Sequence, residues 1–269
     1  MLYTRYVKVN DIKIHEILAM HGLFERYYDF GPLDTFIRDL SRKDGAFIVR
    51  RKDNEQIVGF STMAIFDIPH GGKTVKGMFS GDTVLEKAYW GTRAVHTAYL
   101  VKLLKEALKR PFQQQYWTLI SKGYKTYMVM ARNLPEFYPN RQGEQPELKA
   151  LVESYCEVLF PGKLNRASMV LDFGDESNCL KGTVADINEP LRQREPDIAF
   201  FERCNPGWDR GHELPCIAPI GLKTLLVAMV PFMAKVVRSK LALRWGKKVA
   251  GPAGHGSDIT ADAASAAQG

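Results

Sequence analysis

The stretch Thr74–Arg110 reads TVKGMFSGDTVLEKAYWGTRAVHTAYLVKLLKEALKR, and its hydrophobic period changes once along its length. Up to Leu85 the segment is rich in apolar and β-prone residues, which predicts a strand. From Arg93 onward apolar residues recur at helical spacing with lysines between them, and Pro111 follows. This pattern predicts an amphipathic helix over residues 93–110 and therefore a strand-to-helix turn before it.

Two more strands are predicted upstream of this one. Ala46–Arg51 and Gln56–Ile68 are separated by a polar turn, and a Gly-Gly turn separates the second from Thr74–Leu85, which predicts an antiparallel meander. The other predicted elements are a strand over Tyr3–Val9, helices over Ile12–Glu25 and Leu33–Leu40, more helix over Phe112–Ser121, a strand over Tyr124–Ala131, a helix over Pro146–Leu159, strands over Ala167–Phe173 and Ile198–Arg203, and a helix over Leu222–Trp245. This order predicts a mixed α/β domain.

Composition excludes several classes of protein. With 269 residues, 45% hydrophobic and 25% charged, the chain is neither disordered, collagen-like nor a multi-span membrane protein. The N-terminus lacks a signal-peptide pattern, so we expect a cytoplasmic location. The four cysteines form no CxxC pair, which argues against a zinc ribbon or a disulfide framework, and no metal is expected. A net charge of +7 favours an acidic partner, but no nucleic-acid motif accompanies it, so nucleic acid is not expected.

Two segments resemble the GNAT superfamily of acyl-CoA-dependent N-acyltransferases. They are Gly81–Ala94 (GDTVLEKAYWGTRA) and Gly123–Pro139 (GYKTYMVMARNLPEFYP). In that superfamily a strand leads into a glycine-rich turn whose backbone amides hold the pyrophosphate of coenzyme A. A later strand ends in Asn, and a Tyr follows. The resemblance covers Tyr3 to Arg203 and implies a mixed, mostly antiparallel central sheet flanked by helices.

The resemblance also implies a division of the chain and a set of donor-binding residues. The acyltransferase domain is expected over 1–206, a C-terminal extension with an apolar and basic helix over 207–248, and a disordered tail over 249–269. Two registers of the turn stay open, and each contains one glycine, Gly91. The implied donor-binding residues are Val84, Leu85, Tyr89, Gly91, Thr92, Arg93, Ala94 and Asn133. In this setting Lys87 and Arg93 either replace missing glycine amides as phosphate ligands or lie in a solvated helix start.

The resemblance implies roles for three side chains. Tyr138, five residues past Asn133, matches the position that often protonates the leaving sulfur, or it packs beside Pro139. Asp82 is the preferred general base and Glu86 the second choice, although either carboxylate can instead serve a turn or a helix cap. The helix histidine His96 and the cysteine Cys156 have no triad pattern around them and are expected to be packed or solvated.

The implied reaction moves an acyl group from a thioester to a small-molecule amine. The donor is acyl-CoA or the acyl-phosphopantetheine of an acyl carrier protein, and because carriers are acidic, a basic protein suits them. Two alternatives remain. The first is a non-catalytic binding protein of the same fold, which the single loop glycine favours. The second is a protein bound peripherally to a membrane surface through Leu225–Ala234 (LLVAMVPFMA), which is too short to span a bilayer and precedes a basic stretch, unless that helix is simply buried.

Overall fold

A computed structural model describes residues 1–92, 94–174, 177–181 and 184–221 of the chain. Arg93 lies outside the described residues. So does the predicted helix over 222–245, which includes the apolar segment predicted to contact a membrane. Among the described helices, none combines the length and the hydrophobicity needed to cross a membrane.

The described part of the chain alternates short helices with strands. The strands are β1 (Leu2–Lys8), β2 (Tyr28–Asp29), β3 (Gly45–Arg51), β4 (Ile57–His70), β5 (Lys73–Leu85), β6 (Gln115–Ser121), β7 (Leu164–Asn165), β8 (Val170–Leu171), β9 (Cys179–Leu180) and β10 (Leu214–Pro219). The helices are α1 (Ile14–Phe24), α2 (Leu33–Ser41), α3 (Ala94–Lys109), α4 (Tyr124–Asn133), α5 (Pro146–Leu159), α6 (Glu189–Arg194) and α7 (Pro196–Cys204).

A central sheet has the strand order β1-β3-β4-β5-β6-β10. Its neighbours pair antiparallel except β5 and β6, which are parallel. Parallel neighbours need a crossover connection, and α3 provides it. The predicted fold class, a mixed and mostly antiparallel central sheet flanked by helices, is confirmed.

Helices cover both faces of the sheet. Alternation along β3 sends Phe47 into a core that includes Leu103 of α3, Tyr127 of α4 and Phe201 of α7. The neighbouring Ile48 enters a second core on the opposite face, together with residues of α1 and α2. Helix α5 packs on a third cluster around β10 and the β4–β5 turn.

The structure corrects four predicted elements. Residues 115–121, predicted as helix, form β6, a central strand whose residues are buried on both faces and therefore show no clean alternation. Residues 124–131, predicted as a strand from their β-prone aromatics, form α4, because packing of Tyr127 on the sheet outweighs local propensity. Ile198–Arg203 lies inside α7, and of the strand predicted over 167–173 only Val170–Leu171 pairs.

The sheet extends past the predicted domain boundary at residue 206. Strand β10 pairs antiparallel with β6 from Leu214↔Ser121 to Pro219↔Tyr116. Its residues Leu214, Cys216 and Ile217 are buried. The domain therefore includes the first part of the segment that was expected to be a C-terminal extension.

Candidate active site

A β-bulge interrupts β5 near its end. Ser61 pairs with Thr83 and Met63 pairs with Ser80, so two residues of β5, Gly81 and Asp82, oppose a single residue of β4. That residue is Thr62, and a Cβ at position 81 would lie 2.3 Å from its Oγ1. Glycine is therefore required for the close approach of the two strands at the bulge.

The bulge is also the point where β5 and β6 part. Their pairing runs from Lys76↔Gln115 to Ser80↔Leu119 and ends there, although β5 continues to Leu85 and β6 to Ser121. The Trp117 indole donates to the Ser80 hydroxyl at 3.0 Å and links the two strands near the end of their pairing. Beyond them a gap opens between two central strands, and we call it the β5–β6 gap.

A buried ion pair at the ends of β6 and β10 lies near enough to influence the charge of Asp82. Ser121, the last residue of β6, pairs with Leu214, the first residue of β10. Lys122 follows Ser121 and Glu213 precedes Leu214, so the two residues lie next to each other across the strands. The Lys122 Nζ lies 3.2 Å from the Glu213 Oε1, and the two side chains are 8% and 12% exposed. Lys122 also donates to the side-chain oxygen of Asn178 at 2.8 Å and to its carbonyl. The ammonium is thus fixed rather than mobile.

A second lysine lies against the bulge from the side of α2. The Lys43 Nζ is 2.9 Å from the Asp39 Oδ1 and 5.1 Å from the centre of the Phe79 ring, and its side chain is 9% exposed. The Lys43 Cε would be 3.4 Å from a Cβ at Gly81. Lys43 therefore lies beside the backbone segment that carries Asp82.

Asp82 has an unusual electrostatic environment. Burial raises the pKa of this half-buried carboxyl to about 7, and Asp39 and Glu213 add to the increase, while Lys43 and Lys122 oppose it. Among the described residues, no hydrogen bond or ion pair to the Asp82 carboxylate is present. A carboxylate in this state is available to accept a proton near neutral pH.

Tyr28 of β2 completes the surroundings of Asp82. Burial raises the pKa of its phenol above the ordinary value, and the negative charges of Asp82 and Glu213 raise it further. Its ring lies 5.9 Å from the Lys122 Nζ. Because the phenol stays protonated, it can donate a hydrogen bond toward the gap.

The loop after β5 has few free amides to offer a phosphate. Five of its N–H groups donate to acceptors inside the protein at 2.8–3.2 Å. They are the amides of Glu86, Lys87, Tyr89, Trp90 and Thr92. Gly91 adopts a φ of 81°, in the left-handed region that favours glycine, and so serves the turn. A cradle of backbone amides, as the resemblance implies, is therefore not formed by these five groups.

Other predicted site residues lie away from the gap or are already engaged. Glu86 forms an ion pair with Arg26 at 2.8 Å. Asn133 is exposed at the end of α4 and donates to the carbonyl of Val129. Val84 is buried in the core under α1 and α2, whereas Leu85, Tyr89 and Ala94 pack beside Val95 at the start of α3. The structure therefore brings Asp82, but not Glu86, to the gap.

The structure does not bring Tyr138 to the β5–β6 gap. Its backbone bridges Ile217 on the outer side of β10, with N···O distances of 2.8 and 2.9 Å. Strands lie about 4.8 Å apart, so Tyr138 is roughly 10 Å from β6, on the side away from the gap. Burial raises the pKa of Tyr138 to about 12, and its ring packs against the α5 cluster. The packing alternative for Tyr138 is therefore the one that the structure supports.

We therefore expect Tyr138→Phe to keep acyl transfer within about twofold of the unmodified protein. The substitution preserves the ring that packs and removes only a hydroxyl remote from the gap. Steady-state kcat and donor KM would be measured by thiol release. A fall in kcat of about 100-fold at unchanged donor affinity, the usual size for a lost general acid, would restore the catalytic assignment of Tyr138.

Sequence reasoning missed the residues that surround Asp82. Lys122 was hidden because the strand before it was predicted as helix and the helix after it as strand. Glu213 lies just before β10, a strand that was not predicted. Lys43 and Tyr28 reach the site only through tertiary packing. For β6 a signal did exist, since Gln115–Ser121 (QYWTLIS) is rich in β-prone residues.

Two cavities lie elsewhere on the surface. One of about 700 Å³ lies between β1 and α1 and is lined by residues such as Arg5, Glu16 and Arg50. The other, of about 600 Å³, lies at the start of α5 beside Tyr116. Neither cavity includes Asp82, and the chemistry of the gap rests on its own side chains. Among the described residues no group of three or more His, Cys, Asp or Glu side chains is placed to hold a metal ion.

Comparison with known proteins gives partial structural overlaps only. No protein-family model matches the chain, and no curated protein matches it. It is similar to a probable N-acyltransferase of Enterococcus faecalis V583, with 16% identity, 48% of this chain and 31% of that chain covered, and a TM-score of 0.36. It is also similar to a mutant of the AtaT toxin bound to the C-terminus of the antitoxin AtaR and acetyl-CoA, with 15% identity, 60% of this chain and 98% of that chain covered, and a TM-score of 0.35. A third similar structure is a ribosomal-protein-alanine N-acetyltransferase of Brucella melitensis biovar Abortus 2308, with 14% identity, 49% of this chain and 89% of that chain covered, and a TM-score of 0.36.

Two of these proteins are named for acyl transfer, the Enterococcus protein as a probable N-acyltransferase and the Brucella protein as an N-acetyltransferase. The chain spans about a third of the Enterococcus protein, at 31% of its length. What each of them binds or acylates is a property of that protein.

Proposed function

We propose that the protein transfers an acyl group from a thioester to an amine in the β5–β6 gap. The observation that carries this proposal is the bulge at Gly81–Asp82. It parts two parallel central strands and leaves a carboxylate without a hydrogen-bond partner among the described residues, with a pKa raised to about 7. Peripheral binding to a membrane and a cytoplasmic location remain further proposals from the sequence.

In the proposed reaction Asp82 is the general base. An amine at neutral pH is mostly an ammonium ion, and only its neutral form has the lone pair that attacks the thioester carbonyl. Asp82 accepts one proton from the ammonium ion, the freed amine forms a C–N bond to the thioester carbonyl, and the C–S bond breaks to release a thiolate, which takes the second proton that the nitrogen loses. An ordinary Asp pKa of about 3.9 makes a weak base, so the raised pKa of Asp82 is what suits it to the task.

We further propose that the donor is an acyl-phosphopantetheine on an acyl carrier protein, with acyl-CoA as the alternative. Two observations support this order. Five amides of the loop after β5 are engaged within the protein, which limits its capacity for a diphosphate. The chain also carries a net charge of +7, which complements an acidic carrier. Lys87 and Arg93 are the side chains proposed to meet the donor's phosphate.

The proposed donor site is tested by placing a carboxylate beside it. We expect Thr92→Glu and Ala94→Glu to weaken donor binding about tenfold or more, because a negative charge at the start of α3 repels phosphate. Binding would be titrated calorimetrically with acetyl-CoA and with an acetylated carrier protein. Leu108→Glu, at an exposed position near the end of the same helix, is the matched control and should bind both donors normally.

The same titration tests the placement of the donor site, and an assay of thiol release distinguishes an acyltransferase from a non-catalytic binding protein. Weaker binding of both donors in both variants supports the placement of the donor site at the start of α3. Unchanged affinity in both variants removes that placement. A non-catalytic binding protein, the second candidate, is favoured by the engaged loop amides and predicts ligand binding without any amine-dependent release of thiol.

A further inference from the structure

Lys43, two residues after the end of α2, is a nearly buried lysine with two partners for its ammonium group. Its ammonium pairs with Asp39 four residues earlier and lies over the face of Phe79, and the side chain is 9% exposed. Lysine side chains are almost never buried unless the ammonium group is paired with another group. Lys43 lies beside the bulge at Gly81, the residue before Asp82, because a Cβ added there would be 3.4 Å from the Lys43 Cε.

We infer that Lys43 is a positioning residue that keeps the Asp82 carboxylate charged and directed into the β5–β6 gap. The catalytic role of Lys43 rests on the proposed function, whereas its effect on the ionisation of Asp82 does not depend on that function. Lys43 does not touch the reacting atoms. It acts through Asp82, and Asp39 acts through Lys43 by fixing the position of the ammonium.

The charges around Asp82 come from every element that borders the gap. Asp39 and Lys43 come from α2 and the turn after it, and Tyr28 from β2. From the other side come Lys122, after β6, and Glu213, before β10. Lys122 is already engaged by Glu213 and Asn178, whereas Lys43 shares its charge between an exposed aspartate and Asp82. Lys43 is therefore the cation whose removal changes the charge balance at Asp82 most directly.

The signs of the expected changes follow from Coulomb's law. Lys43 opposes the raised pKa of Asp82, and Asp39 increases it. Lys43→Gln should therefore move the titration of Asp82 upward by about one pH unit, and Asp39→Asn should move it downward. Lys43→Arg keeps the positive charge and should leave the titration close to that of the unmodified protein.

The chain offers a closely matched control on the other face of the sheet. Lys102 pairs with Glu106 four residues later at 2.8 Å and lies over the Tyr6 ring at 4.5 Å. Lys102→Gln therefore removes a lysine with the same two kinds of partner, but far from the gap. It should leave the titration of Asp82 unchanged.

The test is a carboxyl NMR titration of full-length protein labelled with ¹³C-aspartate, with Asp82→Asn used to assign the Asp82 resonance. The expected result is an upward shift in Lys43→Gln, a downward shift in Asp39→Asn, and none in Lys43→Arg or Lys102→Gln. An Asp82 titration in Lys43→Gln that is the same as in Lys102→Gln would overturn the inference.

Kinetics on the same variants separates this inference from the proposed function. If Asp82 is the base, the acidic limb of kcat/KM follows the NMR midpoint, and Lys43→Gln loses about fivefold in rate at pH 7, because one pH unit cuts the ionised fraction from about a half to about a tenth. If the NMR midpoints shift as expected while the rate profiles do not, the role of Lys43 stands and the role of Asp82 as base fails.

Discussion

Asp82→Asn is expected to lower the rate of amine acylation about 100-fold between pH 7 and 8, the usual size for a lost general base. In that range about half to nine-tenths of the Asp82 carboxyl of the unmodified protein is ionised, since its pKa is about 7, while most of the amine is still protonated. The deficit should narrow as the pH approaches the pKa of the amine, where the free base is abundant without help. Initial rates from pH 6 to 10 give the profile.

Stability provides the control for this variant. A carboxyl whose pKa is raised in the folded state is stabilising while protonated, and that contribution is lost as the pH rises through about 7. Asp82→Asn should therefore unfold at the same temperature as the unmodified protein or higher at pH 8. A rate profile parallel to that of the unmodified protein, at an undiminished level, would show that Asp82 has only a structural role.

Gly81→Ala is expected to destabilise the fold by about 1–3 kcal/mol and to abolish activity. The added Cβ would lie 2.3 Å from the Oγ1 of Thr62, and the backbone has to shift to avoid this contact. Such a shift alters the bulge and hence the direction of Asp82. Urea unfolding and thiol release would be measured together.

A second substitution distinguishes a lost bulge from a general defect. The Thr62 Oγ1 is buried without a hydrogen-bond partner among the described residues, so Thr62→Ala alone should cost little stability. In the double variant Thr62→Ala with Gly81→Ala, the nearest remaining neighbours of the new Cβ are at 3.3 and 3.4 Å. Stability and activity should both recover. If the double variant is as impaired as Gly81→Ala alone, the contact with Thr62 is not what requires glycine here.

The meander and the crossover helix could be predicted because their signals are local. Polar and glycine turns separate β3, β4 and β5, and the 3.6-residue period of α3 begins where the strand period stops. The interchange of helix and strand around β6 and α4 has a physical cause. A central strand buried on both faces lacks alternation, and the β-prone tyrosines and valine of α4 are placed in a helix by packing against the sheet.

Of the residues around the β5–β6 gap, only Asp82 could be predicted from the sequence. Asp82 was identified because it stands near the end of a strand that precedes a turn, which is a sequence-local feature. The bulge was not, because it depends on the pairing of Ser61 with Thr83 and of Met63 with Ser80. The lysines that flank Asp82 come from segments about 40 residues away on either side. Only the folded sheet brings these charges together, so a single sequence carries no sign of them.

The central claim is that the β5–β6 gap catalyses transfer of an acyl group from a thioester to an amine with Asp82 as base. It is tested most directly by thiol release from acetyl-CoA and from an acetylated carrier protein, with and without a panel of primary amines, for the unmodified protein and Asp82→Asn across pH 6–10. We expect amine-dependent thiol release with at least one donor, an acidic limb of the rate profile near pH 7, and a rate deficit in Asp82→Asn that narrows at high pH. Thiol release that is equal in the two proteins, or absent with both donors and all amines, would contradict it.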